Sequence, residues 1–259
     1  MNTYLNELFN LDGKVAVVIG AGGHLCSEMA KGLAKAGCSV AILDIRLEKA
    51  EAVSNDLKIE GIDRVMSLAI DVSEKVEHIN VLNEILEKFD QVDILINGAG
   101  IFSHSPFLEI TLDEWHAVLD SQLAGTFLGC QVFGSHMVEK GGGSIINISS
   151  ISAGPPLSKA FTYSVAKAGI NNLTQNLGRE WAKKGVRVNA VRPGFFPNEF
   201  FKNSISKERE FAILRHTPME RFGKPKELLG AIFWLASDAS SFVTGAEISV
   251  DGGFSCMTI

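Results

Sequence analysis

The sequence is short of tyrosine, cysteine and basic charge, has no long apolar run, and each shortage removes a class of protein. Its longest apolar stretches, such as Val15 to Ile19, fall far below the roughly 20 residues that a membrane span requires. Lys and Arg number 24 against 30 Asp and Glu, a formal net charge of −6. No basic face is therefore expected that would draw nucleic acid or an anionic membrane. The four cysteines, Cys26, Cys38, Cys130 and Cys256, include no C-x-x-C pair. That spacing does not suggest a metal site, and four in 259 residues make no disulfide framework. Small buried thiols in a reducing compartment are expected instead. Met1 to Leu11 carries Glu7, no basic residues and no continuous apolar stretch, so no signal peptide is read there. A cytoplasmic protein is expected. No Pro/Gly-rich linker, charge run or repeat divides the chain, so one domain over residues 1–259 is expected.

What is present is alternation. Val15–Ile19, Val40–Leu43, Val65–Ile70, Ile94–Ile96, Ser144–Ile148 and Val186–Val191 are short aliphatic or β-branched runs, with a last short strand at Glu247–Val250. Such runs suit a parallel sheet covered by helices on both faces. Between them lie stretches of helical spacing. Ala166, Ile170, Leu173, Leu177 and Trp181 form the clearest stripe. Strands alternating with helices predict right-handed crossovers and a doubly wound, Rossmann-type α/β domain. The stretch from Pro193 to about Pro225 has no strand and holds four of the seven prolines. It is read as a lobe covering substrate, with one or two short helices.

After the first strand comes Gly20-Ala21-Gly22-Gly23-His24-Leu25-Cys26, then helical character from Ser27 to Ala36. A glycine-rich turn into a helix lets backbone N–H groups approach a pyrophosphate, which makes Gly20, His24 and Leu25 candidate contacts. Asp44 ends the second strand, where a carboxylate can accept the hydroxyls of an adenosine ribose and repel a 2′-phosphate. This favours NAD over NADP, against the nearby Arg46, which either binds such a phosphate or is a solvated residue opening the next helix. Asp71, Val72, Asn97 and Ala99 follow later strands at their carboxyl ends, where α/β sheets bind ligands.

Ser149-Ser150 follows the fifth strand, and Tyr163 and Lys167 lie four apart on one helix face. A phenol with a pKa near 10 is poorly matched to proton transfer at neutral pH. A neighbouring ammonium is expected to lower it. Tyr163 would then take the proton of a substrate alcohol, with a serine hydroxyl holding the same oxygen.

With these residues in place, the chain resembles the short-chain dehydrogenase/reductase family from about Leu11 to Gly253. The family's serine lies thirteen residues before the tyrosine of Tyr-x-x-x-Lys, which selects Ser150. Asp71, Asn97-Gly98-Ala99-Gly100, Pro193-Gly194, Thr217 to Gly223, and Val243-Thr244-Gly245 to Asp251-Gly252-Gly253 match further motifs. The resemblance implies a seven-stranded parallel sheet and commonly a homotetramer built partly on the helices around the fifth strand. It also implies cofactor contacts at Tyr163, Lys167, Pro193 and Phe196. Five positions depart from the pattern. His24 and Cys26 stand where the family has its second and third glycines, and Gly98 replaces an asparagine. Gln122, before Leu123-Ala124-Gly125, replaces the family's catalytic Asn in its proton relay. Asn198 stands for the usual threonine beyond Pro193-Gly194.

The Leu25 to Met29 stretch and Pro193 to Phe196 are similar to a subgroup acting on sugar acids and polyols, of the fructuronate reductase and gluconate 5-dehydrogenase types. His104, Asn198, Glu199, Lys202, Asn203 and Arg215 are polar candidates for substrate contact, His104 the best placed. Phe195, Phe196, Phe200 and Phe201 are read as packing for the lobe. The expected function is NAD-linked hydride transfer at a secondary hydroxyl or ketone of a small polar substrate. Two alternatives stay open: reduction of a 3-oxoacyl-type ketone, and a dinucleotide-binding regulatory protein without turnover.

Overall fold

A computed structural model describes residues 3–155 and 157–257; the side chain of Phe200 lies outside the described set. The apolar runs form seven strands: β1 Val15–Ile19, β2 Ser39–Asp44, β3 Val65–Ala69, β4 Ile94–Asn97, β5 Gly143–Ile148, β6 Val186–Pro193 and β7 Glu247–Val250. All pair in parallel, in the order β3-β2-β1-β4-β5-β6-β7. The order reverses between β1 and β4, which opens a crevice at their carboxyl ends, where α/β sheets bind ligands.

Side chains alternate across the sheet and build a core on each face. From β1, Ala16 and Val18 join Met29, Leu33 and Ile42 on one side. Val15, Val17 and Ile19 join Ile85, Leu95 and Phe133 on the other. The central strands β1, β2 and β4 are buried at every residue. The edge strand β3 is not: Val65 alone is fully buried and Ala69 is exposed. The sequence reading had this strand covered on both faces, but an edge strand has a neighbour on one side only.

Three helices matter for the site. Helix His24–Lys35 follows β1 and starts a turn earlier than its composition suggested, because extended Gly23 ends the turn at once. The segment from Leu112 to Lys140 is helical throughout but widens into a π-turn over Asp120–Ala124. Such turns often mark functional positions. Helix Phe161–Trp181 follows β5. Its buried face is Ala166, Ile170, Asn171, Thr174 and Gly178, while Leu173, Leu177 and Trp181 of the anticipated stripe are half-buried. Polar side chains link the sheet to this helix: Asn97 Nδ2 donates to Asn147 Oδ1 (2.9 Å), and Asn147 Nδ2 donates to Thr174 Oγ1 (3.0 Å). The stripe turns partly sideways, with Trp181 against Gly134 of the preceding helical segment.

Between β6 and β7 lie helices Glu199–Ser204 and Lys207–His216, capped by the side chains of Asn198 and Ser206. Cys26, Cys38 and Cys130 are buried free thiols, but Cys256, near the chain end, is exposed. Among the described residues no helix is long and apolar enough to cross a membrane, and no cluster of His, Cys, Asp or Glu could hold a metal ion.

Candidate active site

The crevice at the strand carboxyl ends is a cavity of about 500 Å³ running from the Gly20–Cys26 turn, past Ser150, Tyr163 and Lys167, to Phe195–Asn198 and Arg209. At the first end the chain folds tightly. Gly20 has φ +82°, and a Cβ there would lie 2.7 Å from the Ala99 nitrogen. Only glycine allows both the left-handed backbone and this contact between the turns after β1 and β4. Gly23 caps helix His24–Lys35 without a side-chain hydrogen bond, and the first N–H groups of a helix have no partner within it. His24, Leu25 and Cys26 therefore present donors and the positive helix end to the cavity they line. A turn without side chains followed by free donors fits the pyrophosphate of a dinucleotide.

Asp44 stands behind this turn, 7% exposed. Its Oδ2 accepts from the Gly22 nitrogen (3.0 Å) and its Oδ1 from the Arg46 nitrogen (3.1 Å). Arg46 Nε lies 3.8 Å away, so the arginine is the carboxylate's neighbour. Two of the unusual residues explain one another here. A Cβ on Gly98 would overlap Cys26 Sγ, so the larger side chain in the helix requires the smaller residue after β4.

Asp44, Asp71, Val72, Asn97, Ala99 and Pro193 do not line the cavity. The Asp71 carboxylate closes a turn on Ser73, accepting from its nitrogen (3.0 Å) and hydroxyl (2.7 Å). Val72 packs beneath Gly125. Asn97 is turned into the protein, 4% exposed, where its amide bridges to β5. Ala99 backs Gly20, and Pro193 pairs with Val250. The side chains of Asp71, Val72 and Asn97 are thus engaged in a turn, a packing contact and the sheet, respectively.

At the reacting end, Ser150, Tyr163 and Lys167 come together in the cavity wall. The strand-end position of Ser150 and the helical spacing of the other two bring this about. Ser149 instead faces backward, its hydroxyl donating to the Lys167 carbonyl (3.3 Å). Lys167 is 4% exposed; its Nζ donates to the Ile148 carbonyl (2.6 Å) and lies 5.4 Å from the centre of the Tyr163 ring. Burial pushes the ammonium pKa down to about 8, partly offset by Cys26. The phenol of Tyr163 is shifted upward by burial, with a hydrogen bond to Ser150 opposing the shift. The expected lowering by Lys167 is absent, because the ammonium sits under the ring, directed at a carbonyl, and is itself desolvated.

Gln122 lies in the π-turn, 4% exposed. Its Nε2 donates to the Ile101 carbonyl (2.9 Å), its main-chain carbonyl accepts from Thr126 Oγ1 (2.7 Å), and its Oε1 has no partner. Gly100, at φ +147°, leaves the space its amide fills. The amide therefore holds the Ile101 loop and makes no direct hydrogen bond to Lys167, whose Nζ is directed at the Ile148 carbonyl.

The mouth is made of side chains from separate loops. The Phe102 ring lies 4.6 Å from that of Tyr163 and 4.4 Å from that of His104. Arg209 donates to Ser158 through Nη1 to Oγ (2.7 Å) and Nη2 to the carbonyl (3.3 Å). Of the polar candidates, His104 and Asn198 line the cavity, though Asn198 Oδ1 already caps its helix (Phe201 nitrogen, 2.8 Å). Glu199 pairs with Lys202 (2.8 Å), and Lys202, Asn203 and Arg215 lie off the cavity. Arg209 was missed, since Lys207-Glu208-Arg209-Glu210 reads as a solvated helix start and only the tie to Ser158 distinguishes it. Phe195, Phe196 and Phe201 line the cavity as well as packing the lobe.

A family model described as enoyl-(acyl carrier protein) reductase matches residues 20–255. The chain belongs to the short-chain dehydrogenase/reductase family. It is 35% identical over 250 residues to 5-keto-D-gluconate 5-reductase of Escherichia coli, covering 96% of this chain and 98% of that one. It is also 35% identical over 248 residues to D-threitol dehydrogenase of Mycolicibacterium smegmatis, covering 95% and 94%. A crystal structure of a gluconate 5-dehydrogenase from Burkholderia cenocepacia, in complex with NADP and tartrate, superposes with a TM-score of 0.93 at 32% identity, covering 98% and 100%. The protein is thus an oxidoreductase of the short-chain type, with sugar-acid and polyol dehydrogenases among its relatives.

Proposed function

We propose that this short-chain dehydrogenase/reductase interconverts a secondary hydroxyl and a ketone on a sugar, sugar acid or polyol, using NAD. The observation that carries the reading is the meeting of Ser150, Tyr163 and Lys167 in one cavity with the helix donors at His24 and Leu25. Gly20, His24, Leu25 and Cys26 would hold the pyrophosphate, and Asp44 the adenosine ribose. When bound, the nicotinamide supplies the hydride acceptor or donor. Tyr163 moves the proton at the substrate oxygen, and Ser150 orients that oxygen by a hydrogen bond. Lys167, anchored on the Ile148 carbonyl, would hold the nicotinamide ribose, and a positive charge brought close to the phenol favours its phenolate. Gln122 keeps the loop that carries Phe102 against the Tyr163 ring.

The preference for NAD rests on Asp44, whose carboxylate beside Gly22 would face a 2′-phosphate at close range. Like charges so placed cost several kcal/mol. Relatives crystallised with NADP make this a matter for experiment. Reduction of an apolar ketone is the second reading, favoured by Phe102, Phe195, Phe196 and Phe201 along the cavity. We also infer one domain over residues 1–259, with 193–225 covering substrate, and a cytoplasmic location in keeping with the buried free thiols. A homotetramer is inferred from the apolar surface of Leu119, Leu123, Phe127 and Leu173, which a second copy would cover; sedimentation checks it.

The decisive test follows nicotinamide absorbance with NAD and NADP against polyols, sugar acids, simple alcohols and apolar ketones. Turnover of polyhydroxylated substrates with NAD is expected, and Asp44→Ala should lower the NAD/NADP preference on the order of 100-fold. Turnover confined to apolar ketones, or dinucleotide binding without any turnover, would overturn the reading.

A further inference from the structure

The cavity mouth carries positive charge that no carboxylate answers. Among the described residues Arg209 forms no ion pair, and it shares the cavity wall with His104. Arg209 is held by its two hydrogen bonds to Ser158, while a guanidinium has five donors in a rigid fork. The remaining donors are uncommitted on a residue that lines the cavity. The acids nearby are otherwise engaged: Glu114 accepts from the hydroxyls of Ser103 and Ser105, and Glu199 pairs with Lys202.

We propose that Arg209, with His104 in the same cavity wall, binds the carboxylate of the substrate, so that the enzyme selects sugar acids over neutral polyols. The inference rests on the oxidoreductase reading above and narrows it. A planar fork with free donors matches a carboxylate in two parallel hydrogen bonds. Arg209 and Tyr163 line one cavity, so a substrate whose oxygen reacts at the phenol has its other groups within the same space.

Matched pairs of substrates test this. D-gluconate and D-glucitol differ only in the terminal carboxylate, as do D-mannonate and D-mannitol. The wild-type enzyme should favour the acid in each pair that it turns over. Arg209→Met should reduce that preference about 30-fold, mainly through KM, as expected for the loss of a charged hydrogen bond. Arg209→Lys should recover part of it. Ser158→Ala removes the hydroxyl half of the tie but keeps the carbonyl contact and the charge, and should retain most of the acid preference. Calorimetric binding of D-gluconate should weaken in parallel in Arg209→Met. An equal loss on acid and polyol in Arg209→Met, or the same loss in Ser158→Ala, would make Arg209 a structural tie and overturn the proposal. A wild-type enzyme that prefers polyols would overturn it while leaving the oxidoreductase reading intact. Turnover of neither class would sink both.

Discussion

At the dinucleotide end of the cavity, backbone meets backbone, Gly20 against Ala99, and Cys26 fills the space that Gly98 leaves. At the substrate mouth, contacts run between side chains of separate loops: Phe102 on Tyr163, Phe102 on His104, and Arg209 on Ser158. Both ends depart from the family's pattern, but they absorb the departures differently. A change at the packed end must be matched by another, because there is no free volume. At the mouth, Gln122 and Asn198 adopt new partners, the Ile101 carbonyl and the Phe201 nitrogen, with no matching change in the residues that receive them. Coupled substitutions therefore belong to the cofactor end, and independent ones to the substrate end.

The largest expected effect lies where the two ends join. Tyr163→Phe removes the proton-transferring hydroxyl, and kcat should fall on the order of 1000-fold. Dinucleotide binding, followed by fluorescence titration, should change little, since the packed end is untouched. Retained turnover would show that the phenol is not the acid–base group. Next comes the coupling itself. Gly98→Asn alone should cost about 2 kcal/mol in urea unfolding through overpacking on Cys26. Cys26→Gly alone should cost about 1 kcal/mol as a glycine within a helix. The double substitution should be more stable than the sum of the two implies, by at least about 1 kcal/mol. Additive costs would break the contrast between the ends.

The same contrast decides what could be read from the sequence. The sheet was legible because two-sided strands write their burial as unbroken apolar runs, as in Val15–Ile19. Ser150, Tyr163 and Lys167 were legible because fixed spacing on a strand end and a helix brings them together whatever the loops do. The edge position of β3 was not, since an edge strand has much the same composition as a central one. Nor was the role of Asn97, which at a strand's carboxyl end reads as a ligand contact but is turned into the sheet by its pairing with Asn147. The raised pKa of Tyr163 depends on where Lys167 Nζ points, which spacing does not encode. Arg209 was invisible because its meaning comes entirely from a residue 51 positions away.

Smaller effects follow at Gln122. Gln122→Leu keeps the bulk over Gly100 but removes the donor to Ile101. The loop that carries Phe102 should loosen, raising KM for substrate about fivefold, the equivalent of one neutral hydrogen bond, while KM for the dinucleotide is nearly unchanged. If Gln122 acted instead as a proton relay to Lys167, kcat and its pH profile would move and KM would not.

The smallest effect, that of one thiol, separates the ends by pH. Burial raises Cys26, Cys38 and Cys130 from 9.0 to about 12. Above pH 9 the unfolded chain loses these protons while the folded one keeps them, so the unfolded state binds fewer protons and stability falls as pH rises. Lys167 works the other way. Its pKa of about 8, below 10.5, penalises the charged folded form below pH 8 and relieves the penalty above it. The three thiols together outweigh that single gain once pH exceeds 9. Cys38→Ala should therefore flatten the alkaline loss by about 1 kcal/mol between pH 9 and 10, measured by urea midpoints at each pH. At the mouth, His104 is held below its usual pKa by burial and by Arg209 and Lys159. Its protonation should alter substrate KM on the acid side, and because the unfolded imidazole takes the proton more readily than the folded one, the urea midpoint should also fall slightly as pH drops. His104→Gln should abolish the KM change on the acid side and flatten that small loss of midpoint; a KM that still changed with pH in the variant would show that another group controls the mouth.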